Sequence, residues 1–184
     1  MRYFVVPLGC QMNRSDAERL TTVLERMGLQ KSQSEEDADI LGVVACSVRQ
    51  KSINKAYGRI HKWNQWKNRK NLLTFLSGCI LPADEANFTR LFDLVFRIDD
   101  LPRLPEIIHH HGVTTPLVRQ AISGEDADSA TAFWKITPKY TSQFEAYVPI
   151  QNGCDKFCTF CAVPYTRGRE VSRPARDILQ EVEA

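Results

Sequence analysis

Three short apolar runs punctuate the first half of the chain, and each ends the same way. Residues 3–8 stop at Gly9-Cys10, residues 40–44 at Ala45-Cys46, and residues 72–76 at Ser77-Gly78-Cys79. Each run is rich in Val, Leu or Phe, as suits a strand buried on both faces of a parallel sheet. Each then gives way to a segment of helical periodicity. The first opens near Ser15-Asp16, carries Leu20, Val23, Leu24 and Met27, and stops at Gly28. The second is predicted over 51–68 and the third over 84–92. A fourth apolar run, 93–98, is predicted to close the sheet, ahead of a Pro-flanked helix over 105–111.

Strands alternating with helices predict an α/β fold with a mainly parallel sheet. Such sheets bind ligands beyond the carboxyl ends of their strands, and Cys10, Cys46 and Cys79 all fall there. Neighbouring strands lie about 4.8 Å apart, so the three side chains can meet around one inorganic cluster. The small residue before each cysteine (Gly9, Ala45, Gly78) lets backbone or cluster come close. A lone buried cysteine is ordinarily a small core residue. Three at equivalent strand ends argue for a shared ligand.

Beyond residue 112 the periodicity loosens, and the polar, acidic stretch 124–130 reads as a surface linker. Residues 146–150 are predicted to be the first strand of a second domain, delivering a loop with Cys154, Cys158 and Cys161. This C-x3-C-x2-C spacing is compact enough for one loop to turn its thiolates toward a common point. Three thiolates are one short of the four that usually hold a four-iron cluster, which leaves one iron open to an outside ligand. A zinc site would want a fourth Cys or His nearby, and buried structural cysteines are the bland alternative. The expected organisation is a first domain over 1–112, a connection over 113–145, and the beginning of a second domain over 146–184. Residues 174–184 enter a helix without a capping glycine, so the chain reads as the N-terminal piece of a longer protein.

Composition is that of an ordinary globular protein, with 43% hydrophobic residues among 184. No apolar run approaches the roughly 20 residues that span a bilayer, and the N-terminal apolar stretch is too short for an export signal. A reducing cytoplasm is therefore expected, with the six cysteines as metal ligands rather than disulfides. The net charge of +2 is unevenly spread. Residues 40–83 contain no Asp or Glu but include Arg49, Lys51, Lys55, Arg59, Lys62, Lys67, Arg69 and Lys70. A basic segment in an acidic remainder points to a polyanion; a solvated helix face is the plain alternative. Trp63 and Trp66, three apart, are expected to pack on the sheet rather than stack on unpaired bases. His109, His110 and His111 are contiguous, point in different directions on a helix, and are not expected to bind metal.

With both cysteine sets in view, the chain resembles the methylthiotransferase branch of the radical S-adenosylmethionine (SAM) enzymes over essentially its full length. The resemblance rests on Gly9-Cys10-Gln11-Met12-Asn13 with Asp16 and Glu18, on Cys46-Ser47-Val48-Arg49, and on Gly78-Cys79. It is strongest from Gly153-Cys154 through Cys161 into Val163-Pro164-Tyr165-Thr166-Arg167-Gly168-Arg169-Glu170. Within the branch these stretches are most similar to the tRNA enzymes (MiaB-like) that methylthiolate isopentenylated adenosine beside the anticodon. Sister groups act on threonylcarbamoyl-adenosine in tRNA or on a ribosomal-protein aspartate. Two departures bear on pocket detail and subgroup: Val44-Ala45 where the branch usually has Asn-Thr, and Ile80-Leu81 where it usually has Met-Ala.

The resemblance implies two 4Fe–4S clusters and SAM as cofactors. Cys154, Cys158 and Cys161 would hold the cluster that cleaves SAM to a 5′-deoxyadenosyl radical. Cys10, Cys46 and Cys79 would hold an auxiliary cluster carrying the sulfur to be methylated and transferred. Phe160 would pack near the SAM adenine, or else be an ordinary core aromatic. Gln11 and Asn13 could hydrogen-bond substrate, with a helix-capping role equally open to Asn13. Arg49, Lys62, Lys67, Arg69 and Lys70 are the RNA-contact candidates. Implied partners are the tRNA anticodon loop, an electron donor such as flavodoxin or ferredoxin, and a sulfur donor; the protein would be a monomer with no membrane attachment. The second domain would be a partial (β/α) barrel of which only the first unit is present, so this chain alone is expected to be inactive. An iron–sulfur electron carrier or RNA-binding module is the non-enzyme alternative, disfavoured because electron carriers normally close the fourth position.

Overall fold

In the computed structural model, residues 1–118 and 132–183 are described; the predicted linker at 124–130 lies outside them. The expected βα alternation is present. Strand β1 (Arg2–Pro7) leads into helix α1 (Gln11–Arg26), short strand β2 (Gln30–Lys31), and strand β3 (Ile40–Cys46). Helix α2 (Gln50–Trp66), strand β4 (Leu73–Cys79), helix α3 (Pro82–Phe88) and strand β5 (Leu94–Val95) follow. A 3₁₀ turn over Ile98–Arg103 and helix α4 (Leu104–His110) come next, and Val113, Val118, Phe133 and Ile136 pack into the same core as α1.

The sheet is parallel throughout, in the order β2-β1-β3-β4-β5. β3 lies at its centre and is buried at every residue, which explains why its sequence is continuously apolar rather than alternating. One core, with Tyr3, Leu20, Leu24, Phe75 and Ile108, packs α1 and α4 on one face. The other, with Leu41, Val43, Ile60, Trp63 and Phe88, packs α2 and α3 on the opposite face. Helices on both faces of this strand order make a doubly wound fold whose direction reverses between β1 and β3. The crevice at that reversal, outside the strand carboxyl ends, is where such folds bind ligands.

Three local expectations differ from what is observed. Helix α1 starts at Gln11, well before Ser15-Asp16. The Asn13 side chain supplies the early start: its Oδ1 accepts the Cys10 backbone N–H at 3.2 Å, a donor the helix cannot satisfy itself. Ser15 and Asp16 therefore lie buried inside the helix. Helix α3 ends at Phe88, although Phe92 still packs in the core. Residues 146–150 form no strand. The pairing begins immediately after them, in an antiparallel ribbon of Gln151–Asn152 with Val171–Ser172. A strand needs a partner for its backbone groups, and the returning segment at 171–172 is the partner this chain provides.

The second unit continues with the short helix Val163–Arg167 and the helix Ala175–Glu183. It is tied to α1 by a buried charge cluster. Arg19 donates to both Glu181 carboxylate oxygens, at 2.8 and 2.7 Å, and Arg173 donates to the same carboxylate at 2.6 Å. Trp134 lies against both guanidinium groups. Among the described residues no helix is long and apolar enough to cross a membrane.

Candidate metal centre

The strand-end cysteines converge. Cys46 and Cys79 are register partners on adjacent strands, and Cys10 stands where β1 turns into α1. All three line one cavity of about 260 Å³, together with Met12 and Val48. Its remaining walls come from the second unit: Gln151, Asn152, Gly153, Val163, Thr166 and Arg167. The pocket under the first cysteine set is thus walled on its other side by the segments that flank the second set.

Backbone and side-chain bonds hold these strand ends in place. Ser52 accepts the Cys46 backbone N–H at 3.0 Å and donates to the Leu8 carbonyl at 2.8 Å, clamping α2 to the ends of β1 and β3. Asn13 is fully buried. Its Oδ1 faces the Cys10 sulfur at 3.5 Å, and its Nδ2 donates to the Ala45 carbonyl at 3.1 Å and to the Cys79 sulfur at 3.7 Å. Asn13 thereby bridges all three strand ends, and no polar atom is left facing solvent. Of the two readings open to it, helix capping is the one observed. Gly78 has φ of +110°, and a Cβ there would stand 2.3 Å from the Ala45 carbonyl oxygen. Only glycine allows Cys79 to reach its position.

Charge is buried beside these sulfurs. Arg167 Nε donates to Cys79 Sγ at 2.9 Å, and its Nη1 donates to Asn152 Oδ1 at 3.2 Å. Nη1 reaches Asp16 Oδ1 at 3.3 Å, and Nη2 pairs closely with Oδ2. Burial raises the Asp16 carboxyl above its ordinary range, opposed by the charge and hydrogen bonds of Arg167. Burial also disfavours the Arg167 cation, but Asp16 and then Cys79 outweigh it and raise the group. The Cys46 thiol is lowered to about 6, chiefly by a hydrogen bond from Cys79, with burial opposing. The same bond and burial raise Cys79, against the pull of Arg167. The pair gives up its first proton readily and its second with difficulty.

Among the described residues no His, Cys, Asp and Glu group is gathered tightly enough to enclose a single metal ion. A four-iron cluster spreads its thiolates over several irons, so it calls for sulfurs arranged around a cavity. Cys10, Cys46 and Cys79 fit that requirement in donor type and placement.

The second set is built differently. Cys154 and Cys161 are half-buried and Cys158 is exposed. The loop is shaped by its own backbone: Cys161 N–H to the Cys158 carbonyl at 3.0 Å, and Cys154 N–H to the Gly168 carbonyl at 3.2 Å. Gly153, at φ +73°, lies so close to the Arg169 carbonyl that a Cβ would stand 2.0 Å from it. Phe160 is 91% exposed.

The basic residues divide between the two ends of the sheet. Arg49 is at the cysteine end, donating to the Gly9 carbonyl at 3.1 Å. With Arg14, Lys51 and Lys55 it lines a groove of about 500 Å³. Gln11 is exposed at the first position of α1. Lys62, Lys67, Arg69 and Lys70 sit at or just beyond the far end of α2, roughly 20 Å along the helix at 1.5 Å per residue. There Lys62 pairs with Glu35 and Glu36, Lys67 with Asp93, and Lys70 with the Glu36 and Ala38 carbonyls. Trp63 is buried and donates to Glu35 at 3.0 Å, as the packing expectation required. Trp66 lies under Lys62 and Lys70.

Sequence reasoning assigned no role to Arg167 or Asn152, and none to Asp16 beyond helix initiation and resemblance. A signal for Asp16 existed. Asn13, Asp16, Ala17, Leu20, Val23, Leu24 and Met27 recur at helical spacing, so two polar residues stand on the apolar stripe. A polar residue there must find a buried partner.

The family model described as "Uncharacterized protein family UPF0004" matches residues 2–97. The chain is 33% identical over 189 residues to the tRNA-2-methylthio-N(6)-dimethylallyladenosine synthase of Dictyoglomus thermophilum, covering 99% of this chain and 41% of that protein. It is 35% identical to the enzyme of the same name from Finegoldia magna, covering 98% and 39%. With that of Sodalis glossinidius it shares 36% identity, covering 95% and 37%. The chain spans about two fifths of the length of these relatives.

Proposed function

The chain belongs to the UPF0004 family, and on that premise we propose that it acts in tRNA methylthiolation, as part of a radical SAM transferase that converts isopentenylated adenosine beside the anticodon to its 2-methylthio derivative. The relatives' name describes this product. The observation that carries the reading is the make-up of the first set's cavity: one wall carries Cys10, Cys46 and Cys79, and the other is built from Gln151, Asn152, Gly153, Val163, Thr166 and Arg167, which flank the second set. A reaction that joins sulfur delivery to radical formation needs its two centres near one another, and these flanking segments bring the second loop alongside the first set.

In this reading Cys10, Cys46 and Cys79 hold one 4Fe–4S cluster and Cys154, Cys158 and Cys161 the other, each leaving one iron without a protein ligand. Bound there with SAM, such groups supply a sulfur for methylation and a radical able to remove hydrogen from an adenine carbon. The chain's own residues position and shield. Asn13 and Ser52 fix the strand ends, and Met12, Val48 and Val163 line the cavity with apolar surface. Exposed Phe160 offers a flat face beside Cys161 for the SAM adenine. The groove of Arg14, Arg49, Lys51 and Lys55 is the phosphate-binding surface nearest the cavity. Lys62, Lys67 and Lys70, engaged within the protein, are secondary to it, and Arg69 lies at the same remote end. An electron donor and a sulfur donor complete the cycle, in the cytoplasm.

The test is anaerobic loading of the full polypeptide its gene encodes with iron and sulfide. Two four-iron centres are expected by iron count, with 5′-deoxyadenosine formed from SAM and dithionite and a methylthio group added to tRNA. Alanine at any first-set cysteine should remove about half the iron and keep 5′-deoxyadenosine formation. A preparation holding one centre or none overturns the reading.

A further inference from the structure

One side chain physically joins the two cysteine sets. Arg167 ends the short helix that follows Cys161, yet its guanidinium turns into the first unit, with only 6% of the side chain exposed. Both Nη groups reach the Asp16 carboxylate, and Nη1 also donates to Asn152. This fork-on-carboxylate pairing satisfies the buried cation. Nothing in such a pairing requires the remaining donor, Nε, to meet a sulfur, but it does so at 2.9 Å on Cys79, inside the cavity. Cys79 is itself fixed by its register with Cys46, by the Gly78 backbone and by Asn13. The N–H···S contact is therefore between two groups that are each independently held.

We propose that Arg167 is a positioning residue for the Cys10–Cys46–Cys79 centre: it fixes the direction of the Cys79 sulfur and makes the iron–sulfur group held there easier to reduce. The inference rests on the cluster reading of the preceding subsection. A hydrogen bond and a positive charge at a ligating sulfur stabilise the reduced, more negative form of such a group, and hydrogen bonding to sulfur is an established lever on its potential. Because Arg167 belongs to the segment that packs around the second cysteine loop, any shift of that segment changes the electron affinity of the first centre.

The experiment uses the full polypeptide with Cys154, Cys158 and Cys161 replaced by alanine, so that only the first set can hold iron. It is loaded anaerobically, and Arg167 is compared with Arg167→Gln and Arg167→Lys. Readouts are iron content, the electron paramagnetic resonance spectrum, the reduced-to-oxidised ratio at a fixed applied potential, and the melting temperature. Arg167→Gln should bind iron with an altered spectrum and a roughly tenfold lower ratio, equivalent to about 59 mV for a one-electron couple. Arg167→Lys, which keeps the charge but not the fork, should restore part of that ratio. If the single variant does not fold, Asp16→Asn with Arg167→Gln removes both charges while keeping polar groups in contact, and should lower the ratio in the same direction. An unchanged ratio and spectrum, with only the melting temperature lowered, overturns the proposal and leaves Arg167 a structural ion pair. Absence of iron with native Arg167 in place overturns the cluster reading and this proposal together, which separates the two failures.

Discussion

The two cysteine sets solve one geometric problem in opposite ways. Cys154, Cys158 and Cys161 are neighbours in sequence, carried on one short segment held by a backbone bond of its own and one to Gly168, and Cys158 remains exposed. Cys10, Cys46 and Cys79 come from three strand ends and are brought together by the sheet register, with Asn13, Ser52 and the Asp16–Arg167 pair packed around them. The first set is therefore as stable as the core beneath it, and damage to that core is damage to the site. The second set depends mainly on local conformation, so its environment can change without unfolding the sheet.

The strongest way to break this contrast is to remove a carboxylate from each region. Asp16→Ala leaves Arg167 buried without its counter-charge and should destabilise the chain by about 3–5 kcal/mol in denaturant unfolding. Asp155→Ala removes an exposed pair with Arg169 and should change stability by no more than about 1 kcal/mol. Equal losses would show that the two regions share one core.

A finer comparison uses the glycines before Cys79 and Cys154. Both have positive φ and a carbonyl oxygen in the way of a Cβ, a backbone strain of about 1–3 kcal/mol for alanine. Gly78→Ala should incur the full effect, because central strands cannot move apart, and should lower iron retention by the first set. Gly153→Ala meets the Arg169 and Gly168 backbone outside the five-stranded sheet, so it should lower the melting temperature less than Gly78→Ala and reduce iron retention by the second set more than by the first.

The end of the sheet opposite the cysteines provides a control. Burial opposes ionisation of Asp93, but Lys67 and the Thr74 amide and hydroxyl outweigh it and lower the carboxyl below its usual range. A depressed folded value means this stabilisation is complete above the unfolded carboxylate range, about pH 4, and is lost as pH falls through the folded value. Asp93→Asn should therefore flatten the acid limb of melting temperature against pH. A wild-type slope in that variant would discount the interaction. Lys62→Ala, at an exposed site with two surface ion pairs, should have the smallest effect, within about 1 kcal/mol, and should leave tRNA affinity nearly unchanged. Arg49→Glu should weaken tRNA binding clearly; the reverse ranking would move the RNA surface to the far end of α2.

Local chemistry was enough to read much of this protein from its residues. Apolar runs of strand length identified β1, β3 and β4 and ended each at a cysteine, while the C-x3-C-x2-C spacing marked the second set, because both signals lie within a few residues. The packing of Trp63 was likewise legible from its spacing on α2. The sequence could not place Arg167 against Cys79, since 88 positions separate them and the contact exists only once the second unit closes over the sheet. Nor could it divide the basic segment: Arg49 and Lys67 lie on one continuous run, and the direction of α2 relative to the strands sends them to opposite ends. Which residues are strand or helix is set largely by near neighbours. Which charges share a cavity is decided by how the finished elements pack, because burial and distance between remote side chains are properties of the folded whole.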